Sequence, residues 1–185
     1  MEFRAADRKA DAAVIGEVMA RAFHDDPVIG WLRPSDTAGM FATLATYVHA
    51  LPTLVFRDGV PVAASLWDPP GHQPSEQEQN DSLTPFVACM GDGIERGLAL
   101  EETFAKHRPA EPHWYLAQIG TDPAAQGLGI GGALLQAGLA RRDGLPAYLE
   151  SSKESNIPFY EKYGFAVTET IELPGGPTVW GMRLS

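Results

Sequence analysis

The chain holds a single cysteine, Cys89, among 185 residues. One thiol cannot close an internal disulfide, and a zinc site built on cysteines is excluded. Its neighbours Val87, Ala88 and Met90 mark it as a small buried apolar residue. No stretch approaches the roughly 18 consecutive apolar residues of a membrane span. Met1 to Ala10 is charged throughout and has no signal-peptide core, so the expected location is cytoplasmic. Basic side chains are scarce, 14 against 24 acidic ones, for a net charge of −10. Phosphate contacts need clustered Lys and Arg, so neither nucleic acid nor an anionic membrane surface is an expected partner. His24, His49, His72, His107 and His113 show no i,i+4 pairing or other ligand spacing, and no metal is expected.

What is present describes one globular domain over residues 1–185. Apolar residues make up 44% and charged residues 21%, and this length buries a core without staples. Half of the acid surplus falls in residues 71–112, which carry eight acids against three bases. Oligomeric state is left as monomer or homodimer.

Apolar spacing predicts a strand at Met1–Ala6 and a helix at Ala12–Phe23 with Asp11 as its N-cap. Asp25-Asp26-Pro27 stops that helix. A second helix is expected over Thr37–Ala50. Thr53–Arg57, Asp58-Gly59 and Val60–Trp67 read as a β-hairpin. Pro69–Asp81 reads as a loop, and Leu83–Arg108 as two short helices. His113–Thr121 is a strand, Gly127–Arg142 a helix, Pro146–Glu150 a strand and Ile157–Tyr163 a short helix. Phe165–Leu173 and Thr178–Leu184 are closing strands. Alternating strands and helices imply an α/β domain with a mixed sheet. Residues 71–112 form a helical and loop insertion ahead of the strand at His113.

The most informative stretch is Gln126-Gly127-Leu128-Gly129-Ile130-Gly131-Gly132. It follows a strand and opens an apolar helix. N–H groups at a helix start have no intrahelical partner and carry about half a positive charge. Glycines let a phosphate approach that backbone, so the loop reads as a pyrophosphate cradle. Gly127, Gly129 and Gly132 also satisfy the dinucleotide pattern, with Glu150 beyond them. Against that reading, Asp122 to Ala125 separate the loop from its strand, and too little chain follows Glu150 for a dinucleotide domain.

Gln126-x-x-Gly129-x-Gly131 resembles the acyl-CoA signature of the GCN5-related N-acetyltransferases (GNAT). The run Phe159-Tyr160-Glu161-Lys162-Tyr163-Gly164-Phe165 resembles a second element of that family. Residues 107–185 resemble the puromycin N-acetyltransferase branch, through His107-Arg108-Pro109-x-Glu111-Pro112-x-Trp114, Asn156-x-Pro158-Phe159-Tyr160-Glu161 and Pro174-x-Gly176-Pro177-x-x-Trp180. The resemblance implies a single-domain GNAT-like fold, with a mixed, mostly antiparallel, splayed β-sheet flanked by helices. It implies acetyl-CoA as co-substrate and direct acetyl transfer to the amine of a small molecule. Transfer to a protein Lys or N-terminus, and a non-catalytic acyl-CoA-binding domain, are the alternatives.

By the same resemblance, backbone groups of Ile119, Gly120 and Thr121 pair with the pantetheine arm. Gln126 and the N–H groups of Gly127, Leu128, Gly129, Ile130, Gly131 and Gly132 hold the pyrophosphate. Tyr160 stands near the thioester sulfur as general acid, since a phenol with a pKa of about 10 keeps its proton at neutral pH. Many relatives carry Asn seven positions before that tyrosine. Here Lys153 stands there, and Asn156 is either a cofactor contact or the cap of the short helix.

The general base is Glu150, His113 or a chain of waters. Strict alternation places His113, Tyr115, Ala117 and Ile119 on one strand face, with Trp114, Leu116 and Gln118 on the other. Trp67, ending a strand, and Asp26 are assigned to the acceptor side. Trp31, Phe41, Tyr47 and Phe86 are weaker wall candidates. The acids Glu76, Glu78, Asp81, Asp92, Glu95, Glu101 and Glu102 of the insertion are candidates to attract a protonated amine.

Overall fold

The computed structural model describes residues 1–185. Seven strands form one sheet in the order β1-β2-β3-β4-β5-β7-β6. They are β1 (Glu2–Ala5), β2 (Leu51–Arg57), β3 (Val60–Asp68), β4 (Trp114–Thr121), β5 (Ala147–Ser151), β6 (Ala166–Glu172) and β7 (Thr178–Leu184). Every pairing is antiparallel except β4 with β5. The helices are α1 (Ala12–Ala22), α2 (Pro27–Leu32), α3 (Thr37–Thr43), α4 (Glu76–Met90), α5 (Ile94–His107), α6 (Ile130–Leu139) and α7 (Ile157–Glu161). This is the expected single-domain α/β architecture. No helix is long and apolar enough to cross a membrane.

The helices cover both faces of the sheet. On one face Ile15, Val18 and Met19 of α1 pack with Met40 and Phe41 of α3, Leu54, Leu66 and Ile171. On the other face Leu135 of α6 and Tyr160 of α7 pack with Trp67, Leu116, Leu149 and Met182. Two glycines set close approaches. Gly120 of β4 lies against Met19, Ala22 and Phe23, which lets α1 settle onto the strand. Gly138 of α6 lies flat on the Trp67 indole.

Several sequence expectations are corrected. Asp11 precedes α1 but does not cap it. Its backbone is already helical, and its carboxylate is taken by the Arg4 fork at 2.8 and 2.9 Å and by the Asp7 N–H at 2.8 Å. Asp26-Pro27 starts a helix as well as ending a segment. Asp26 accepts from the N–H groups of Val28 and Ile29 at 2.9 and 3.0 Å, and Pro27 fills the first helical turn, where its missing N–H costs nothing. The helix expected over Thr37–Ala50 is α3 followed by a π-helical turn, Leu44–Val48. Part of the expected loop 69–81 is helical, because Ser75 and Glu78 form a capping box that starts α4 at Glu76. The two helices of the insertion are accordingly 15 and 14 residues long rather than short. Asp58 and Gly59 do form the expected hairpin turn, both with positive φ.

The feature that matters most lies in β4. Opposite it, Leu66 pairs with Gln118 while Trp67 pairs with Leu116, so Ala117 has no cross-strand partner. This bulge resets the alternation. Leu116 and Ile119 face α6 and α7, whereas Ala117 and Gly120 face α1. The strict alternation that grouped Tyr115 with Ile119 therefore fails. On its other edge β4 pairs with β5 only at Trp114–Ala147 and Tyr115–Tyr148. Beyond those pairs the two strands part.

Replacing Gly138 by alanine tests the packing of α6 on the sheet. A Cβ built there overlaps the buried Trp67 indole. The helix-propensity gain of up to about 1 kcal/mol is outweighed by an overpacking cost of about 1–3 kcal/mol. Urea unfolding is expected to show a net loss of stability; a net gain would mean that Trp67 moves freely.

Candidate active site

The gap between β4 and β5 opens into a cleft of about 540 Å³. Of the cofactor-side residues expected from sequence, Ile119, Gly120, Thr121, Gln126, Gly127, Gly129, Ile130, Gly131, Gly132, Asn156 and Tyr160 line it. Leu128 does not; it is 54% exposed. Asn156 lines the cleft and makes no side-chain capping bond, so the cap reading is not supported.

The glycine loop has the form an anion cradle needs. Gly127 and Gly129 both adopt positive φ, which only glycine takes without strain, and space beyond their Cα atoms is open. The first bond of α6 runs from Ala133 N–H to Gly129 O at 3.0 Å. No N–H from Gly127 to Gly132 donates to a backbone carbonyl of the chain. Six consecutive donors thus surround a helix N-terminus. Behind them the Tyr163 hydroxyl presses on Gly132, and Thr121 Oγ1 flanks Gly131. The β4 edge beyond Tyr115, unpaired on the β5 side, offers further backbone groups to an extended ligand. These residues fit the phosphate and amide parts of acetyl-CoA.

Tyr160 comes from α7, is 8% exposed, and packs edge-on against Phe159 and Phe165. Burial, and secondarily the Asp26 carboxylate, push its phenol above the ordinary range. It therefore stays protonated and can only donate at neutral pH.

Glu150 sits at the end of β5 and lines the cleft with a side chain only 2% exposed. Burial pushes its carboxyl up to about 7, against the opposing pull of Arg108 and the Tyr115 hydrogen bond. Tyr115 Oη donates to Oε2 at 2.8 Å, while Oε1 is buried without a hydrogen-bond partner. His113, the competing candidate, does not reach the cleft. Its Nδ1 bonds the Glu111 carbonyl at 2.8 Å, and its ring packs edge-on against Tyr148.

The acceptor side needs more revision. Trp67 is 1% exposed and packs under α6, so it belongs to the core and not to the cleft wall. Phe41 is also core. Asp26 does line the cleft. One of its oxygens caps α2, and the other accepts from Ser152 Oγ. Beside it Asp25 pairs with Lys153 at 2.6 Å. These two contacts tie the α1–α2 loop to the end of β5. None of the seven acids of the insertion lines the cleft. Several are consumed locally: Glu78 by Ser75 and Arg8, Asp81 by Gln77, Glu102 by Lys106.

Sequence reasoning missed Arg108, Tyr115 and Gln118. Gln118 was placed on the wrong face because the bulge was not foreseen; its amide lines the cleft, with Oε1 buried and unpartnered. Tyr115 pairs in register with Tyr148, which puts Glu150 two residues along the same face. That neighbourhood requires knowing which strands pair.

Comparison with known proteins agrees with this geometry. The model of the acetyltransferase (GNAT) domain family matches residues 83–167. An uncharacterized N-acetyltransferase of Schizosaccharomyces pombe is 31% identical over 197 aligned residues, covering 91% of this chain and 74% of that protein. A structure described as histone acetyltransferase HPA2 and related acetyltransferase, from Corynebacterium glutamicum, has a TM-score of 0.71 at 26% identity, over 98% of this chain and 93% of that one. The polyamine N-acetyltransferase of Drosophila melanogaster, which forms N-acetylagmatine, has a TM-score of 0.66 at 14% identity, over 99% and 98% of the two chains. At that identity the likeness is one of fold.

The buried carboxyl makes stability depend on pH. Its ordinary value is 4.5 and its folded value about 7. Between these the folded chain holds a proton that the unfolded chain has released. The stabilising contribution is thus fully present below 4.5 and lost as pH rises through about 7, a loss on the order of 3 kcal/mol. Glu150→Gln is expected to remove this dependence and to be the more stable protein at pH 8. Parallel stability–pH curves for the two proteins would contradict the raised value.

Proposed function

The chain belongs to the GNAT acetyltransferase family, and from that premise we propose that it moves an acetyl group from acetyl-CoA to a small-molecule amine. Enzymes of this family use acetyl-CoA, whose thioester supplies the activated acetyl group. The N–H groups of Gly127 to Gly132 hold the pyrophosphate, and the unpaired β4 edge from Leu116 to Thr121 orders the pantetheine arm. The lone pair of the neutral acceptor nitrogen forms the new N–C bond, and the Glu150 carboxylate takes the proton that this nitrogen sheds. The C–S bond breaks, and Tyr160 Oη gives its proton to the departing sulfur. Burial suits both groups: it brings the Glu150 carboxyl near neutrality, where a general base works best, and keeps Tyr160 a donor.

The observation that carries the small-molecule reading is the pair of contacts across the cleft. Asp26–Ser152 and Asp25–Lys153 join its two walls. A protein tail needs an open groove at that place. The likeness of residues 107–185 to puromycin N-acetyltransferase supports the same class of acceptor.

The test is release of free CoA thiol by the purified protein with acetyl-CoA and a panel of small amines. Mass spectrometry of peptides under the same conditions completes it. Turnover is expected with small amines, and Tyr160→Phe is expected to lower kcat by about 10²–10⁴-fold with little change in KM for acetyl-CoA. A mass gain on peptides with no small-amine turnover would overturn the acceptor class. An unchanged kcat in the Tyr160 variant would overturn the acid.

A further inference from the structure

Glu150, Tyr115 and Arg108 come from separate segments and make one connected unit. Tyr115 Oη donates to Glu150 Oε2 at 2.8 Å, and Arg108 Nη2 donates to the same phenolic oxygen at 3.0 Å. The guanidinium carbon lies 4.2 Å from the Tyr115 ring centroid. Arg108 Nε is 3.7 Å from Glu150 Oε1, and both atoms are buried without a hydrogen-bond partner. Arg108 is itself anchored. Its backbone N–H bonds Phe104 O at the end of α5 at 2.9 Å, and its Nη1 meets Glu101 Oε1 at 3.3 Å.

We infer that Arg108 and Tyr115 are positioning residues that hold the Glu150 carboxylate with Oε2 bonded and leave Oε1 without a hydrogen bond, as the atom that takes the acceptor's proton. The inference rests on Glu150 as the base and adds two residues that act through Glu150 and not on the substrate. A glutamate carboxylate turns easily about its last torsion, which has a broad, roughly two-fold profile. The phenol hydrogen bond selects one orientation. Burial and the Glu150 charge push the Tyr115 phenol far up, so this group is always a donor. The Arg108 fork is planar, permanently charged and stacked on the ring, so it fixes the plane of the phenol. Of the groups around Glu150, only Tyr115 hydrogen-bonds the carboxylate. Glu101 is held by Arg108; Tyr148 of β5, with Glu169 of β6 behind it, has an unpartnered hydroxyl. The insertion thus acts on the site through Arg108, the residue that ends α5.

Tyr115→Phe keeps the ring under Arg108 and removes one O–H. The readout is an infrared titration of the full-length protein labelled with ¹³C-glutamate, the Glu150 band being identified by its loss in Glu150→Gln. Losing the donor is expected to raise the Glu150 midpoint by about one pH unit. Transfer below the midpoint then falls about tenfold in kcat, with KM for acetyl-CoA unchanged. Arg108→Lys, which keeps the charge and loses the fork, is expected to broaden the Glu150 band and lower kcat in the same sense. A Tyr115→Phe protein whose melting temperature drops while the midpoint stays put would overturn the inference, leaving Tyr115 a packing residue. If Glu150→Gln retains full transfer activity, the base assignment itself fails; if that variant is inactive and the Tyr115→Phe midpoint is unmoved, only the positioning role fails.

Discussion

The site depends on one broken pairing. β4 and β5 lie parallel, meet at two residue pairs, and then diverge. Backbone groups left without a partner inside a protein cost free energy, and they are satisfied by ligand or solvent. The divergence therefore does two things at once. It opens the cleft, and it presents a strand edge ready to accept an extended chain. The bulge at Ala117 belongs to the same constraint. It lets β4 stay in register with β3 while reversing which face its later residues present. The glycine loop, the start of α6 and Glu150 all stand around the opening that results.

A buried carboxylate is the cost of that arrangement. Glu150 has little solvent to stabilise its charge, and only one of its oxygens is bonded. The compensation is an arginine that is itself half-satisfied, stacked on the tyrosine that supplies the bond. A fully compensated carboxylate would be a poor proton acceptor, and an uncompensated one would stay protonated. The observed state lies between, near neutrality. The insertion of residues 71–112 contributes to it through Arg108, whose charge lowers the value, and Glu101, whose charge raises it. None of its eight acids lines the cleft, and Glu78, Asp81 and Glu102 are held in contacts elsewhere.

Much of this was legible beforehand where the signal is local. The seven strands were placed as short runs bounded by turn and loop signals, and Asp58-Gly59 marked its hairpin. The glycine run with Gln126 marked the cradle. Tyr160 could be placed only by resemblance to a family, since a lone tyrosine in an apolar run has no distinguishing spacing. What was missed is non-local. The capping box at Ser75 and Glu78 was present in the sequence and went unread inside a Pro-rich stretch. The Ala117 bulge has no signature of its own, and overlooking it misplaced Gln118. Trp67 was misplaced because the contact that buries it, Gly138, lies 71 residues further along the chain. Tyr115 and Glu150 meet only through a strand pairing across 35 residues.

The most direct test of the account is amide hydrogen exchange with and without acetyl-CoA. The account predicts that added acetyl-CoA slows exchange at two segments, Leu116–Thr121 of β4 and the loop Gly127–Gly132, and leaves β1, β2 and β6 unchanged. Acetyl-CoA that binds while both segments keep their free exchange rates would contradict it.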